Sequence, residues 1–145
     1  MENISSLLQR KQPAGVYWLE SPLPAAELEK LAKTAQLAFF HLEGEKLTSK
    51  ASFLNHAALT LHFPEYFGAN WDAFEDCMTD LEWLKATGYV LLYDHTDSFA
   101  QHAPEQFATA LELLHAISQF WANQGKPMLV LLRGERRPPG IAAVG

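Results

Sequence analysis

The sequence has little of what would tie a chain together covalently or place it in a membrane. It contains one cysteine, Cys77, which excludes an internal disulfide and is typical of a reducing compartment. It has no apolar run approaching the roughly 20 residues that a membrane-spanning helix needs. Its first residues, MENISSLLQRKQ, lack the apolar core and small-residue cleavage site of a signal peptide. We therefore expect a cytoplasmic protein without membrane contacts.

Basic residues are also missing from a long internal stretch. Residues 51–84 contain no Lys or Arg, and residues 51–125 hold ten acidic residues against one basic residue, Lys85. That segment carries a charge of -9, compared with -6 for the whole chain. Such a segment repels nucleic acid and anionic membranes, so a cationic protein is the better partner. No P-loop, dinucleotide fingerprint or nucleophile elbow is present, and we expect no cofactor and no enzyme activity.

The remaining composition predicts a folded α/β protein. Of the 145 residues, 48% are hydrophobic and 19% are charged, which favours one folded unit. Apolar runs at residues 37–42, 88–93 and 128–132 alternate with helical patterns, which predicts three layers: a parallel sheet of three core strands flanked by helices. An N-terminal extension, residues 1–36, would add a short helix, an edge strand usable as a fourth strand, and a second helix. Residues 134–145 are predicted to be a flexible tail.

The acidic residues concentrate on one predicted helix, from the N-cap Asn70 to about residue 83. Helical spacing places an apolar stripe on one side (Trp71, Phe74, Cys77, Met78, Leu81) and a polar face opposite (Asp72, Asp76, Thr79, Asp80). Like charges one turn apart cost about 0.2–0.5 kcal/mol per pair. Three interpretations stay open: a solvated face, a Mg²⁺ or Mn²⁺ site on Asp72 and Asp76, or a surface that binds a cationic groove.

Two aromatic residues, Tyr66 and Phe67, directly precede this helix, and aromatic residues beside charges are typical of protein interfaces. Residues 63–79 together read FPEYFGANWDAFEDCMT. This long ungapped pattern resembles the barstar family of intracellular ribonuclease inhibitors, and the resemblance extends over about residues 37–133. It implies a barstar-like fold and a non-catalytic inhibitor, a monomer when free, that blocks the basic cleft of a ribonuclease.

The resemblance also implies roles for individual residues. Asp76 would take the place of an RNA phosphate, with Asp72 and Thr79 as neighbouring contacts and Tyr66 packed over the cleft. Phe67 stands where the family typically has a second tyrosine, and Asn70 matches as the cap. Two positions depart from the family: Glu75 replaces a tryptophan, and Phe120 replaces an acidic contact. These two changes at the rim of the predicted contact surface point to a different ribonuclease, or to another basic partner protein.

The histidines give no metal signature. Six of them (His41, His56, His62, His95, His102, His115) are scattered without metal-binding spacing, so the histidines predict no metal site. Asp94 and His95 end a predicted strand, where α/β enzymes place catalytic groups. No nucleophile accompanies them, and Cys77 is interpreted as a core residue.

Overall fold

The computed structural model describes residues 8, 15–65 and 67–145. The helix expected near residues 1–12 lies, apart from residue 8, outside these residues, and so does Tyr66. The helices and strands in chain order are β1 (Val16–Leu19), α1 (Ala25–Thr34), β2 (Ala38–Glu43), α2 (Lys50–Thr60), α3 (Trp71–Met78), β3 (Tyr89–Asp94), α4 (Asp97–His102), α5 (Pro104–Asn123), β4 (Met128–Leu132) and β5 (Ala142–Val144).

The strands form one parallel sheet in the order β2-β3-β4-β1-β5. This confirms the predicted α/β class with a parallel sheet between helices. All residues of β3 and β4 are buried, which explains why both strands read as continuous apolar runs. β1 is the strand of the N-terminal extension that was predicted as an additional, fourth strand of the sheet. The boundaries proposed between extension, core and tail stay a prediction.

The fifth strand was not predicted. β5 lies inside residues 134–145 and pairs with β1, where Glu20 N–H donates a 2.8 Å hydrogen bond to the Val144 carbonyl. Its sequence, AAV, carries almost no strand signal because alanine is depleted in strands. The pairing therefore depends on the exposed edge of β1, which no local pattern in the last residues reveals.

The sheet divides the interior into two apolar layers. Side chains alternate across the sheet, so neighbouring positions of one strand contribute to opposite layers. The larger layer packs β3 residues Tyr89, Leu91 and Tyr93 against α2, α3, α4 and α5. The smaller layer packs Val90 and Leu92 against α1. The acidic helix and α1 thus lie on opposite faces of the sheet.

The acidic helix is shorter than predicted. It ends at Met78 with Thr79 as the C-cap, not at about residue 83. Leu81 adopts a left-handed backbone conformation (φ 45°) and is 1% exposed. Apolar residues at helical spacing, Leu81 among them, predicted that the helix continues beyond Met78. Instead, the chain turns inward where the Leu81 side chain is buried. Among the described residues, no helix combines the length and the apolarity needed to cross a bilayer.

Candidate protein-binding site

The face that α3 presents to solvent is acidic. Asp72 and Asp76 on the helix are exposed, and so is Asp80 in the turn that follows it. The opposite side of the helix is buried through Phe74, Cys77 and Met78. The division into an apolar stripe and an acidic side agrees with the predicted arrangement. Asp80, however, lies beyond the last helical residue and not on the helix itself.

The start of α3 is fixed by its cap. The Asn70 side-chain oxygen accepts a 2.8 Å hydrogen bond from Ala73 N–H, which confirms the predicted N-cap. Ala69, just before it, has φ 52°, a left-handed conformation that turns the preceding loop into the helix. Asp72 lies in the first turn, where the helix dipole stabilises a negative charge.

Three tryptophans hold the acidic segment against the rest of the protein. Trp71 Nε1 donates to Gln106 Oε1 of α5 at 2.8 Å, and Trp121 Nε1 of α5 donates to the Met78 carbonyl at 2.8 Å. Trp83 Nε1 donates to the Leu61 carbonyl at 3.0 Å. Both ends of α3 and the turn after it are therefore positioned by the core. These bonds were not predicted from the sequence because the partners are 22 to 43 residues apart.

The remaining predicted contact residues differ in their exposure and in the hydrogen bonds that they can still form with a partner. Thr79 is half-buried, and its hydroxyl donates a 2.8 Å hydrogen bond to the Glu75 carbonyl. It is therefore left with acceptor capacity only. Phe67 is half-buried and packs edge-to-face on Phe63, with ring centroids 5.0 Å apart. Part of the Phe67 ring thus belongs to the core. Glu75 is half-buried, and Tyr66 lies outside the described residues.

The acidic side chains are not neutralised internally. Within residues 8, 15–65 and 67–145, no Lys or Arg nitrogen lies within 4.0 Å of a carboxylate of Asp72, Asp76 or Asp80. Lys50 Nζ lies 6.0 Å from the centroid of the Trp71 ring, the range of a cation–π contact. The charge of this surface is available to an external cation.

Cys77 is buried behind the acidic face. Burial raises the pKa of its thiol, and the charges of Asp76 and Asp80 raise it further. A thiol with a raised pKa stays protonated at neutral pH and is a poor nucleophile. This agrees with the interpretation of Cys77 as a core residue.

A second polar cluster lies at the carboxyl ends of β2, β3 and β4. Asp94 Oδ1 accepts from Arg133 Nε at 2.6 Å, and Oδ2 accepts from Arg133 Nη2 at 3.0 Å. His41 Nε2 lies 3.0 Å from the same Oδ2. Burial alone raises the pKa of Asp94, but the hydrogen bonds and charges of Arg133 and His41 outweigh it, so the pKa is lowered. Arg133 Nη1 also donates to the carbonyls of Ser21 and Leu23.

Glu43 and His95 extend this cluster. Glu43 Oε1 is hydrogen-bonded to His95 Nδ1, which raises the pKa of His95 against the opposing effect of burial. Glu43 Oε2 lies 3.9 Å from His41 Nε2. This cluster was not predicted from the sequence, because His41 and Asp94 are 53 residues apart and meet only through strand register. The sequence feature that could have indicated the cluster is that Asp94 and His95 end a predicted strand.

Fold and site together define a class of protein: a small parallel α/β domain that presents an acidic helix held at both ends by its own core. A family model described as Barstar (barnase inhibitor) matches residues 37–133, about two thirds of the chain. The chain therefore belongs to the barstar family, a family of non-catalytic inhibitors that bind a protein partner. The predicted resemblance is confirmed.

Solved structures and curated proteins do not define the function of the chain any further. The crystal structure of Cdc6p from Pyrobaculum aerophilum is similar to this chain with a TM-score of 0.59 and 17% sequence identity. The match covers 92% of this chain and 37% of the Cdc6p chain. At that identity the likeness shows the fold alone. No curated protein matches the chain.

Proposed function

We propose that this protein is a non-catalytic inhibitor that binds and blocks the basic active-site cleft of a small ribonuclease through α3 and the loop before it. One observation carries the proposal: Asp72, Asp76 and Asp80 are exposed together with no Lys or Arg partner among the described residues. A cleft that holds RNA must supply cations for phosphates. Carboxylates spaced along a helix can accept charge-assisted hydrogen bonds from those cations.

Support also comes from how the acidic surface is held. Binding costs free energy when side chains and loops must be ordered at the interface. Here the cap at Asn70 and the indole hydrogen bonds of Trp71 and Trp121 fix both ends of α3 in the free protein. The helix therefore meets a partner with little further ordering. An unneutralised acidic surface also accelerates encounter with a basic partner, and added salt reduces that acceleration.

Individual roles follow the family pattern where the residues match it. Asp76 is proposed to replace a phosphate, flanked by Asp72 and by the acceptor oxygen of Thr79. Asn70 positions the helix, and Tyr66 and Phe67 supply the aromatic part of the contact. Glu75 and Asp80 extend the negative surface. Since the Thr79 hydroxyl hydrogen is already donated to Glu75, Thr79 pairs with a donor on the partner.

The direct test is inhibition of RNA cleavage by a panel of basic, barnase-type ribonucleases. We expect competitive inhibition, in which the apparent KM rises while kcat is unchanged, because the inhibitor and RNA occupy the same cleft. Absence of inhibition across the panel would refute the ribonuclease assignment. Inhibition of kcat alone would refute the proposal that the acidic face occupies the substrate cleft.

A second candidate is a barstar-fold protein that binds a basic partner other than a ribonuclease. It is favoured by the altered rim, where Glu75 adds charge and Phe120 is a 38% exposed aromatic residue in place of an acidic contact. Capture by the purified chain of basic proteins without RNA-cleaving activity, lost in Asp76→Asn, would select this candidate.

A metal-dependent enzyme using Asp72 and Asp76 stays an untested alternative. Within the described part of the chain, the group of three potential ligands lies at His41, Glu43 and Asp94, away from those aspartates.

A further inference from the structure

We propose that His41, Glu43 and Asp94 form a binding site for a divalent transition-metal ion, with Zn²⁺ as the best fit. The three side chains lie at the carboxyl ends of β2 and β3 and each offers one ligand atom. These three atoms all lie within 4.8 Å of one another. The site is separate from the acidic face and independent of the proposed inhibitor function.

The distances between the ligand atoms are close to the edges of a coordination shell. Zn²⁺ binds nitrogen and oxygen at about 2.0–2.2 Å, which places neighbouring ligand atoms roughly 2.8–3.1 Å apart in octahedral geometry and roughly 3.3–3.6 Å apart in tetrahedral geometry. His41 Nε2 is 3.0 Å from Asp94 Oδ2 and 3.9 Å from Glu43 Oε2. The first distance fits octahedral geometry. The second is longer than either range, so Glu43 Oε2 would have to move toward His41 Nε2 when the ion binds.

The lone pairs of Asp94 allow this arrangement. Oδ1 accepts from Arg133 Nε, while Oδ2 accepts from Arg133 Nη2 and contacts His41. A metal ion placed between His41 and Asp94 takes the lone pair that now faces the imidazole. The metal binds His41 through a bare Nε2, so the neutral ring carries its single proton on Nδ1, and an imidazolium releases its Nε2 proton to solvent, since a ligating imidazole must be neutral. Arg133 keeps its hydrogen bonds to both oxygens.

The outer contacts would hold the ligands in place. Arg133 is tied to the carbonyls of Ser21 and Leu23, so it fixes Asp94 from the connection between β1 and α1. His95 fixes Glu43 through its hydrogen bond to Oε1 and leaves Oε2 directed toward His41. Hydrogen-bond partners of this kind orient metal ligands in proteins and strengthen binding.

The backbone supports the same geometry. Glu43 and Asp94 are register partners in the β2–β3 pair. Gly44, the residue after β2, lies so close to β3 that a Cβ there would be 2.4 Å from the Asp94 carbonyl oxygen. This close approach keeps the two strand ends together. The ligands alternate with the inward residues Leu42 and Tyr93 of the larger apolar layer, which puts them on the α1 face, opposite α3.

The donor set selects among metals. Imidazole binds Zn²⁺ and similar transition ions better than it binds Mg²⁺ or Ca²⁺, which prefer oxygen ligands alone. One nitrogen with two carboxylate oxygens therefore favours Zn²⁺, with water completing the shell as in other open three-ligand sites. With both histidines neutral, the two carboxylates outweigh the single positive charge of Arg133 before the ion binds.

The test is isothermal titration calorimetry of the full, metal-free chain with Zn²⁺ at about pH 7.5, because protons compete with the metal for its ligands at lower pH. We expect one ion per chain, no comparable heat with Mg²⁺, and a roughly 100-fold loss of affinity in His41→Ala. His95→Ala, which removes only the outer contact to Glu43, should lose about 10-fold. His115→Ala is the matched control, an exposed histidine on α5, and should bind Zn²⁺ as the wild type does.

Folding of each variant is checked by circular dichroism, and Glu43→Gln gives a second ligand change if His41→Ala is unstable. An absence of Zn²⁺ binding would overturn the proposal and leave a purely structural ion-pair cluster. Binding that is equal in wild type, His41→Ala and Glu43→Gln would also overturn it. Neither result bears on ribonuclease inhibition, which is measured in the presence of a chelator.

Discussion

The indole of Trp121 should be a main support of the acidic helix, and Trp121→Phe tests this. Trp121 is 7% exposed, and its Nε1 donates a buried 2.8 Å hydrogen bond to the Met78 carbonyl. Met78 is the last residue of α3, so its carbonyl has no partner within the helix. Phenylalanine keeps an aromatic ring at this position but removes the donor.

The expected cost has two parts. A buried carbonyl left without a donor costs about 1–3 kcal/mol. The smaller ring also gives up roughly 40 Å² of buried apolar surface, or about 1 kcal/mol at 25 cal/mol per Å². The free energy of unfolding should therefore fall by about 2–4 kcal/mol, a large share of the 5–15 kcal/mol typical of a domain.

Urea unfolding followed by far-UV circular dichroism measures this change without depending on tryptophan fluorescence. Gln119→Ala is the matched control, since Gln119 is an exposed neighbour on the same helix and should change the free energy of unfolding by less than about 0.5 kcal/mol. If Trp121→Phe costs no more than this control, the indole does not support α3 and the reasoning is wrong.

Two further changes should alter stability in defined directions, and a third should alter a pKa. Asn70→Ala removes the N-cap and should lower the free energy of unfolding by about 1 kcal/mol in the same urea assay, whereas Asn70→Asp, which keeps an acceptor, should cost much less. The lowered pKa of Asp94 means that its contribution is present above the unfolded pKa and is lost as the pH falls through the folded pKa. Asp94→Asn, which weakens the pair with Arg133, should therefore cost roughly 2–4 kcal/mol at neutral pH and progressively less in acid, and an unchanged pH profile of stability would contradict this. The raised pKa of His95 means that its stabilising contribution is full below the unfolded pKa and is lost as the pH rises through the folded pKa. Because the hydrogen bond to Glu43 is the main cause, NMR titration of the Glu43→Gln variant should find the pKa of His95 returned toward its ordinary value.

The core of the fold was predictable because burial on both faces leaves a direct mark on sequence. β3 and β4 are buried at every position, and they appear as continuous apolar runs. The N-cap at Asn70 and the exposure of Asp72 and Asp76 were predictable for a similar reason, because capping and helical spacing are local properties.

The rest depends on contacts that local patterns do not contain. The early end of α3 follows from burial of Leu81, whose position still fits a helical period. β5 exists because the edge of β1 accepts a strand, although the AAV sequence of β5 does not favour one. The cluster of His41, Glu43 and Asp94 follows from strand register, which sequence spacing does not report.

The central claim is that the exposed carboxylates of α3 bind the partner's cations, and one comparison tests it most directly. The affinity of a basic, barnase-type ribonuclease that the chain inhibits is measured for Asp76→Asn and for Glu112→Gln. Each variant removes one exposed negative charge, but Glu112 lies on α5. We predict that Asp76→Asn weakens binding by roughly 30-fold or more while Glu112→Gln changes it less than about threefold. Equal affinities for the two variants would contradict the account.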